Sequence, residues 1–164
     1  MWLFFKNTIF TILAPGTVAI YLPYLLIAEP LHIFSISWGL LQFTALIFSL
    51  VGISIYFWCL WDFAVTGRGT PAPIDAPKQL VVKGLYRYVR NPMYIGVLSV
   101  ILGWAALYES IAVLTYAFLV WAMFTAAIII MEEPALRRQF GKSYIDYCTR
   151  VRRWIPGGGY QDLK

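Results

Sequence analysis

Long apolar runs alternate with two polar stretches along this chain. Four apolar segments can be drawn, from about Thr8 to Ala28, Ser37 to Val65, Pro92 to Tyr108 and Ile111 to Met131. A helix that crosses a membrane needs about 20 mostly apolar residues. The third segment is the shortest, so it should stand upright or use its polar flanks to reach the interface. Only Tyr108-Glu109-Ser110 separates the third from the fourth, which predicts a tight helical hairpin. Pro15-Gly16 and Pro23 interrupt the first segment and are expected to bend it. The pattern predicts an all-α integral membrane fold with four transmembrane helices.

Composition strengthens that reading. The 164 residues are 60% hydrophobic and only 13% charged, where a soluble domain carries about a quarter charged residues. The length suits a single membrane domain over 1–164, and no internal repeat is visible. Met1 to Lys6 leads into the first run without a clear small-residue cleavage site, so a retained helix is expected rather than a cleaved signal peptide. Cys59 and Cys148 lie far apart, have no metal-type spacing and are not expected to pair. His32 has no Cys or carboxylate cluster around it and reads as a loop residue, so no metal site is expected.

Charge sets the orientation. With a cytoplasmic N-terminus, the outer loops are 29–36 and 108–110. They hold Glu29, His32 and Glu109 but no Lys or Arg. All 13 Lys and Arg then lie on the other side, which predicts both termini in the cytoplasm. The net charge of +5 suits anionic lipid headgroups. The cations flank the apolar runs, and no nucleic-acid-binding module is present.

The chemistry gathers on that cytoplasmic face. Its first stretch runs from Gly67 to Gly96. It opens with a proline-rich loop through Pro77, stiff enough to be a shaped lid. An extended Gln79-Leu80-Val81-Val82 follows, then one or two helical turns over 85–90. Asn91 is an N-cap candidate and Pro92 a first helical residue. On the plain reading, Arg90 is a positive flank and Tyr86, Tyr88 and Tyr94 form an interfacial belt.

The second stretch, 131–156, starts with Glu132-Glu133, two carboxylates at a membrane boundary that must be solvated or paired. On the plain reading Pro134 starts a new helix after them. From 134 to 151, Leu136, Phe140, Tyr144, Tyr147, Cys148 and Val151 fall three or four apart, which predicts one face of a C-terminal interfacial amphipathic helix. No charge lies in the middle of a span, which speaks against a transporter.

Two blocks carry a family resemblance. Gly-Leu-Tyr-Arg-x-x-Arg-Asn-Pro-Met-Tyr-x-Gly stands at 84–96, and Glu-Glu-x-x-Leu-x-x-x-Phe-Gly-x-x-Tyr-x-x-Tyr, ending in Arg-Trp-Ile-Pro, stands at 132–156. Together they resemble the isoprenylcysteine carboxyl methyltransferase and phospholipid methyltransferase superfamily. The resemblance covers roughly the C-terminal half. It implies a helical membrane enzyme with S-adenosylmethionine bound at the cytoplasmic face. No glycine-rich strand-to-helix fingerprint of the soluble methyltransferases is present.

Carried onto this chain, the resemblance implies that Lys78, Gln79, Leu80 and Val81 line the cofactor and that Tyr86 touches it. Asn91, Pro92, Met93 and Tyr94 would wrap it, and Glu132 and Glu133 would bind its polar groups. Arg90 and Glu132 are the catalytic candidates. Arg87 or Arg90 would meet the donor carboxylate, and tyrosine faces would favour its sulfonium. Asn91→Ala, Tyr94→Ala and Glu133→Ala are each expected to weaken binding without unfolding the bundle.

The implied acceptor is lipidic or amphipathic: an isoprenylcysteine-like carboxylate, a phospholipid amine, or a small thiol. The isoprenylcysteine branch has His where Asn91 stands and an arginine where Ile128 stands. The Gly-x-Gly of the phospholipid branch has its nearest match at Gly52-Ile53-Ser54. The Asn-Pro-Met-Tyr form and compact size suggest a bacterial inner membrane. A reading of another class is a non-enzymatic membrane assembly subunit.

Overall fold

The computed structural model describes residues 8–27, 36, 38–67 and 79–160. All regular structure among them is helical, and the one β contact is an isolated bridge between Val89 and Arg152. We number the helices α1 (Thr8–Ile27), α2 (Leu40–Thr66), α3 (Pro92–Leu107), α4 (Ile111–Phe140) and α5 (Lys142–Arg150). α1, α2 and α4 are each long and apolar enough to cross a membrane, while α3 has 16 residues. The expected proline-rich lid, Lys78 and His32 lie outside the described residues.

The prolines act locally. Pro15 lies within a ten-residue stretch of α1 wound as π-helix, Ile12–Tyr21. Pro134 was expected to open a new helix after the glutamates. Instead α4 runs on to Phe140 and widens to a π turn over Ile128–Glu132, just before the proline. A proline lacks an N–H and crowds the carbonyl four residues earlier, and a wider turn accommodates both effects without ending the helix.

The expected amphipathic helix over 134–151 is also corrected, because the chain breaks at Gly141. That residue adopts φ +54° and ψ −126°, a conformation only glycine enters readily. A Cβ there would meet nothing within 4 Å, so the constraint is conformational rather than steric. The predicted stripe survives the break. Tyr144, Tyr147 and Val151 are buried and pack against Leu136, Phe140, Cys148, Leu80 and Val82.

The α3–α4 hairpin forms as expected. Ser110 caps α4 by accepting from the Val113 N–H, and Glu109 takes φ +51° in the turn. Buried Gln42 at the start of α2 donates to Glu109 and accepts from the Gly39 N–H, joining α2 to that turn.

α2 and α3 meet through small residues. A Cβ on Gly52 would lie 2.7 Å from the Gly96 carbonyl oxygen, and one on Gly96 would lie 2.7 Å from that of Gly52. One turn pair further on, Gly103 lies against Ser49 and Ala45. Gly52 therefore serves helix packing, the usual role of small residues where lipid-like surroundings supply no hydrophobic drive. The outer helix faces are apolar, with Leu50 62%, Trp61 69% and Phe118 63% exposed.

Candidate functional site

The polar end is built by folding the two sequence blocks onto each other. The main chain of 151–160 runs back along 84–90. Arg90 donates its N–H to the Arg152 carbonyl, Gly157 to that of Tyr88, and Tyr160 to that of Arg87. The Tyr147 hydroxyl donates to the Tyr86 carbonyl at 2.6 Å. The hairpin returns the chain to the end it left, so segments about 60 residues apart in sequence become neighbours.

Between these blocks and the helices lies a cavity of about 320 Å³. Phe10, Ala14 and Val18 line it from α1, and Tyr56 and Phe63 from α2. Leu80, Val81, Tyr86, Arg90, Asn91, Met93 and Tyr94 come from the first block, and Phe124, Ile128, Glu132, Glu133, Tyr144 and Tyr147 from the hairpin and beyond. The volume and the mainly apolar wall with a few polar groups match a small-molecule site. Burial holds the hydroxyls of Tyr86, Tyr144 and Tyr147 above the ordinary phenol range, so all three remain neutral donors.

The adjacent glutamates are used differently. Glu133 is 4% exposed and is claimed by three guanidinium groups. Arg153 Nε reaches its Oε1 at 2.6 Å and Arg153 Nη2 its Oε2 at 3.0 Å. Arg90 Nη1 is 3.0 Å from Oε1, and Arg137 Nη2 is 3.8 Å from Oε2. Paired cations are what allow a carboxylate to stay buried and charged. Glu132 is half-buried, takes a hydrogen bond from the Tyr94 hydroxyl and has no cation in ion-pair reach among the described residues. The Tyr94 ring lies against Phe124, with centroids 4.4 Å apart. Among the described residues, Glu132 is thus the cavity-lining carboxylate that no cation neutralises.

Most of the predicted site residues come together here. Leu80, Val81, Tyr86, Asn91, Met93, Tyr94, Glu132, Glu133 and Arg90 all line the cavity. Gln79 is exposed and Pro92 is buried, and neither lines it. Arg87 is not at the mouth, since its Nε donates to the Tyr160 carbonyl. Asn91 sits at the N-cap position with Pro92 opening α3, but its side chain makes no cap bond; it donates to the Arg153 carbonyl at 3.2 Å. The expected aromatic belt divides, with Tyr88 45% exposed while Tyr86 and Tyr94 turn into the cavity.

Sequence reasoning missed Arg153 as partner of Glu133, and it missed the wall supplied by α1. It took the Tyr144 and Tyr147 stripe as packing. Their hydroxyls, at helical spacing opposite a tyrosine-rich block, were the available signal.

Helices throughout the described residues, with a mainly apolar cavity and the carboxylate of Glu132 at its polar end, are the class defined so far. The phospholipid methyltransferase family model matches residues 40–143, and the chain belongs to that family. Among curated proteins it is 35% identical over 79 residues to protein-S-isoprenylcysteine O-methyltransferase B of Arabidopsis thaliana, covering 48% of this chain and 40% of that protein. It is 39% identical over 80 residues to the protein-S-isoprenylcysteine O-methyltransferase of Dictyostelium discoideum, 48% of this chain and 33% of that one. A Delta(14)-sterol reductase of Mus musculus is 32% identical over 99 residues, 58% of this chain and 23% of the reductase. The chain thus spans 40% or less of the length of these relatives. No solved structure matches it.

Proposed function

We propose that this chain is a membrane methyltransferase that uses S-adenosylmethionine and acts on a lipidic or amphipathic acceptor. The observation that carries the proposal is Glu132, with no cation in reach among the described residues, in a mainly apolar and tyrosine-lined cavity. When bound, the donor supplies a methyl group on a positively charged sulfur. Its ammonium has a partner in Glu132, and its carboxylate has one in the Arg90 Nε–H, which is buried without an acceptor. Tyr94 fixes the Glu132 carboxylate by donating to it. Tyr86 and Tyr147 line the cavity and carry no charge. Methyl transfer needs alignment of two partners more than acid or base chemistry, and a dry holding site supplies it. Lys78, outside the described residues, belongs to the same proposal, while Gln79 and Pro92, which do not line the cavity, would serve it only by placing Leu80 and Asn91.

The placement follows the positive-inside distribution. α1 to α4 all span, with α3 shortened and leaning on its polar flanks, and both termini and the cavity mouth face the cytoplasm, in a bacterial inner membrane. The acceptor enters from the bilayer. An isoprenylcysteine-like carboxylate is the acceptor favoured by the methyltransferase relatives, ahead of a phospholipid amine, as the family description would suggest, or a small thiol. The sterol reductase match favours a second reading, a redox enzyme of a lipidic substrate.

Calorimetry on detergent-purified protein tests both. S-adenosylmethionine should bind in the micromolar to sub-millimolar range usual for enzyme ligands, about 1 μM–1 mM, and Glu132→Gln should abolish the heat while helicity is kept. Absence of binding to the folded native protein, or binding of a reduced nicotinamide nucleotide in its place, would sink the methyltransferase reading. Binding without methyl transfer into any extract would favour an assembly subunit. Radiolabelled methyl transfer into lipid against small-molecule extracts then identifies the acceptor class.

A further inference from the structure

Arg90 also lines a second cleft, of about 660 Å³, formed between α4 and the C-terminal stretch. Its polar wall carries Arg150, Arg152 and Arg153, and no acidic residue among the described residues lines it. Arg90 and Arg153 share Glu133 with Arg137. Arg150 and Arg152 are exposed and have no carboxylate in ion-pair reach among the described residues; Arg150 only overlies the Tyr160 ring, 5.7 Å from its centroid. The cleft therefore carries uncompensated positive charge. The Trp154 indole N–H beside it is buried without an acceptor, which is uncommon for a buried donor.

The other wall is apolar. Trp121 and Ile129 line the cleft from α4 and are 40% and 46% exposed, and the Trp121 ring lies 6.4 Å from that of Trp154. That wall continues into the outward surface of α4, where Phe118 and Ile130 are 63% and 72% exposed. Cationic groups beside an apolar helix face, with aromatic rings at the boundary, match an anionic amphiphile.

We propose that this cleft holds the phosphate of an anionic membrane phospholipid, with its acyl chains laid along α4. A soluble anion would use the arginines and leave Trp121 and Ile129 in water. A zwitterionic lipid would bring its own cation towards Arg150 and Arg152. The inference rests on membrane embedding and not on the methyltransferase reading. Each arginine near a lipid surface is worth about fivefold in affinity, so removing two should cost roughly 25-fold.

The test uses the full chain in detergent, titrated with phosphatidylglycerol, phosphatidylcholine or soluble glycerol phosphate and read by native mass spectrometry and thermal unfolding. One phosphatidylglycerol should be retained, bound at least tenfold more tightly than phosphatidylcholine, and glycerol phosphate should neither bind nor compete. Arg150→Gln/Arg152→Gln should weaken retention roughly 25-fold with S-adenosylmethionine binding and helicity unchanged. Arg150→Lys/Arg152→Lys should keep retention, which separates charge from folding. Equal binding of the two lipids, retention unaltered in the glutamine pair, or competition by glycerol phosphate would overturn the proposal. Loss of S-adenosylmethionine binding by the native protein would leave it standing and count only against the methyltransferase reading.

Discussion

Gly52 and Gly96 bring α2 and α3 together with no side chain between them. At the polar end of the same bundle, Glu133 gathers Arg90, Arg137 and Arg153 into one buried cluster. The first contact depends on what is missing from two residues, the second on charges that must all be present. Where apolar surface faces apolar surroundings, burial gives little advantage, and close backbone approach with dispersion takes its place. At the end, four segments distant in sequence have to be fixed around a cavity, and directional bonds do that. The two regions should therefore fail in different ways.

The largest expected effect is at the polar end. Glu133→Ala leaves three guanidinium groups without their shared partner. Breaking a buried ion pair by removing one side costs about 3–5 kcal/mol. We expect unfolding free energy in mixed micelles to fall by that order and the C-terminal segment to become protease-sensitive, while helicity of α1 to α3 persists. The ion cluster thus adds a loss of stability to the weakened binding expected of Glu133→Ala.

Gly52→Val should come next. Its side chain would have to displace the Gly96 carbonyl and Ser99 Cβ, both 2.7 Å from the new Cβ position. Overpacking of this kind costs about 1–3 kcal/mol, read as lower thermal stability and a wider α2–α3 distance between spin labels. The two changes share no partner, so their effects should add within about 0.5 kcal/mol. Strong non-additivity would mean that the middle and the polar end are one cooperative unit, and the contrast would dissolve.

The same contrast governs what the sequence discloses. Periodicity and hydropathy gave α1 to α3 and the start of α4 to within a few residues, because each is a local property of its own segment. The Tyr108–Ser110 hairpin was equally legible, since three residues permit little else. The extension of α4 past Glu132 was not, because Pro134 reads as a start signal and only the π turn before it lets the helix continue. The site was legible as two blocks that must meet. The division of labour between Glu132 and Glu133 was not, since adjacent identical residues differ only in which way each points. That direction is set by Arg90, Arg153 and Tyr94, reached through turns that leave no periodic trace.

Tyr147→Phe tests the seam between the two blocks with a smaller change. It removes one hydroxyl that donates to the Tyr86 carbonyl in a buried setting and leaves the ring packed against Tyr160. A lost hydrogen bond with a stranded acceptor costs about 1–3 kcal/mol, and the lower end is expected because the phenylalanine ring keeps the volume. Hydrogen exchange at the amides of 84–90 should accelerate before that of any helix. An effect spread evenly through α2 and α3 would show that the seam is part of the bundle rather than a separate layer upon it.

The smallest effect separates position from chemistry at Asn91. Its amide donates to the neutral Arg153 carbonyl over 3.2 Å, so Asn91→Ala should cost only about 0.5–1.5 kcal/mol, the net worth of one neutral hydrogen bond. Its consequence for binding should exceed its consequence for folding. The bond holds the main chain of Arg153, whose guanidinium fixes Glu133 one residue from Glu132, so loosening it lets the free carboxylate drift. Asn91→His keeps an N–H donor on a side chain of similar reach and should recover most of the binding lost by alanine. Recovery of stability without recovery of S-adenosylmethionine affinity would show that the amide itself meets the ligand, and Asn91 would move from a positioning residue to a direct contact.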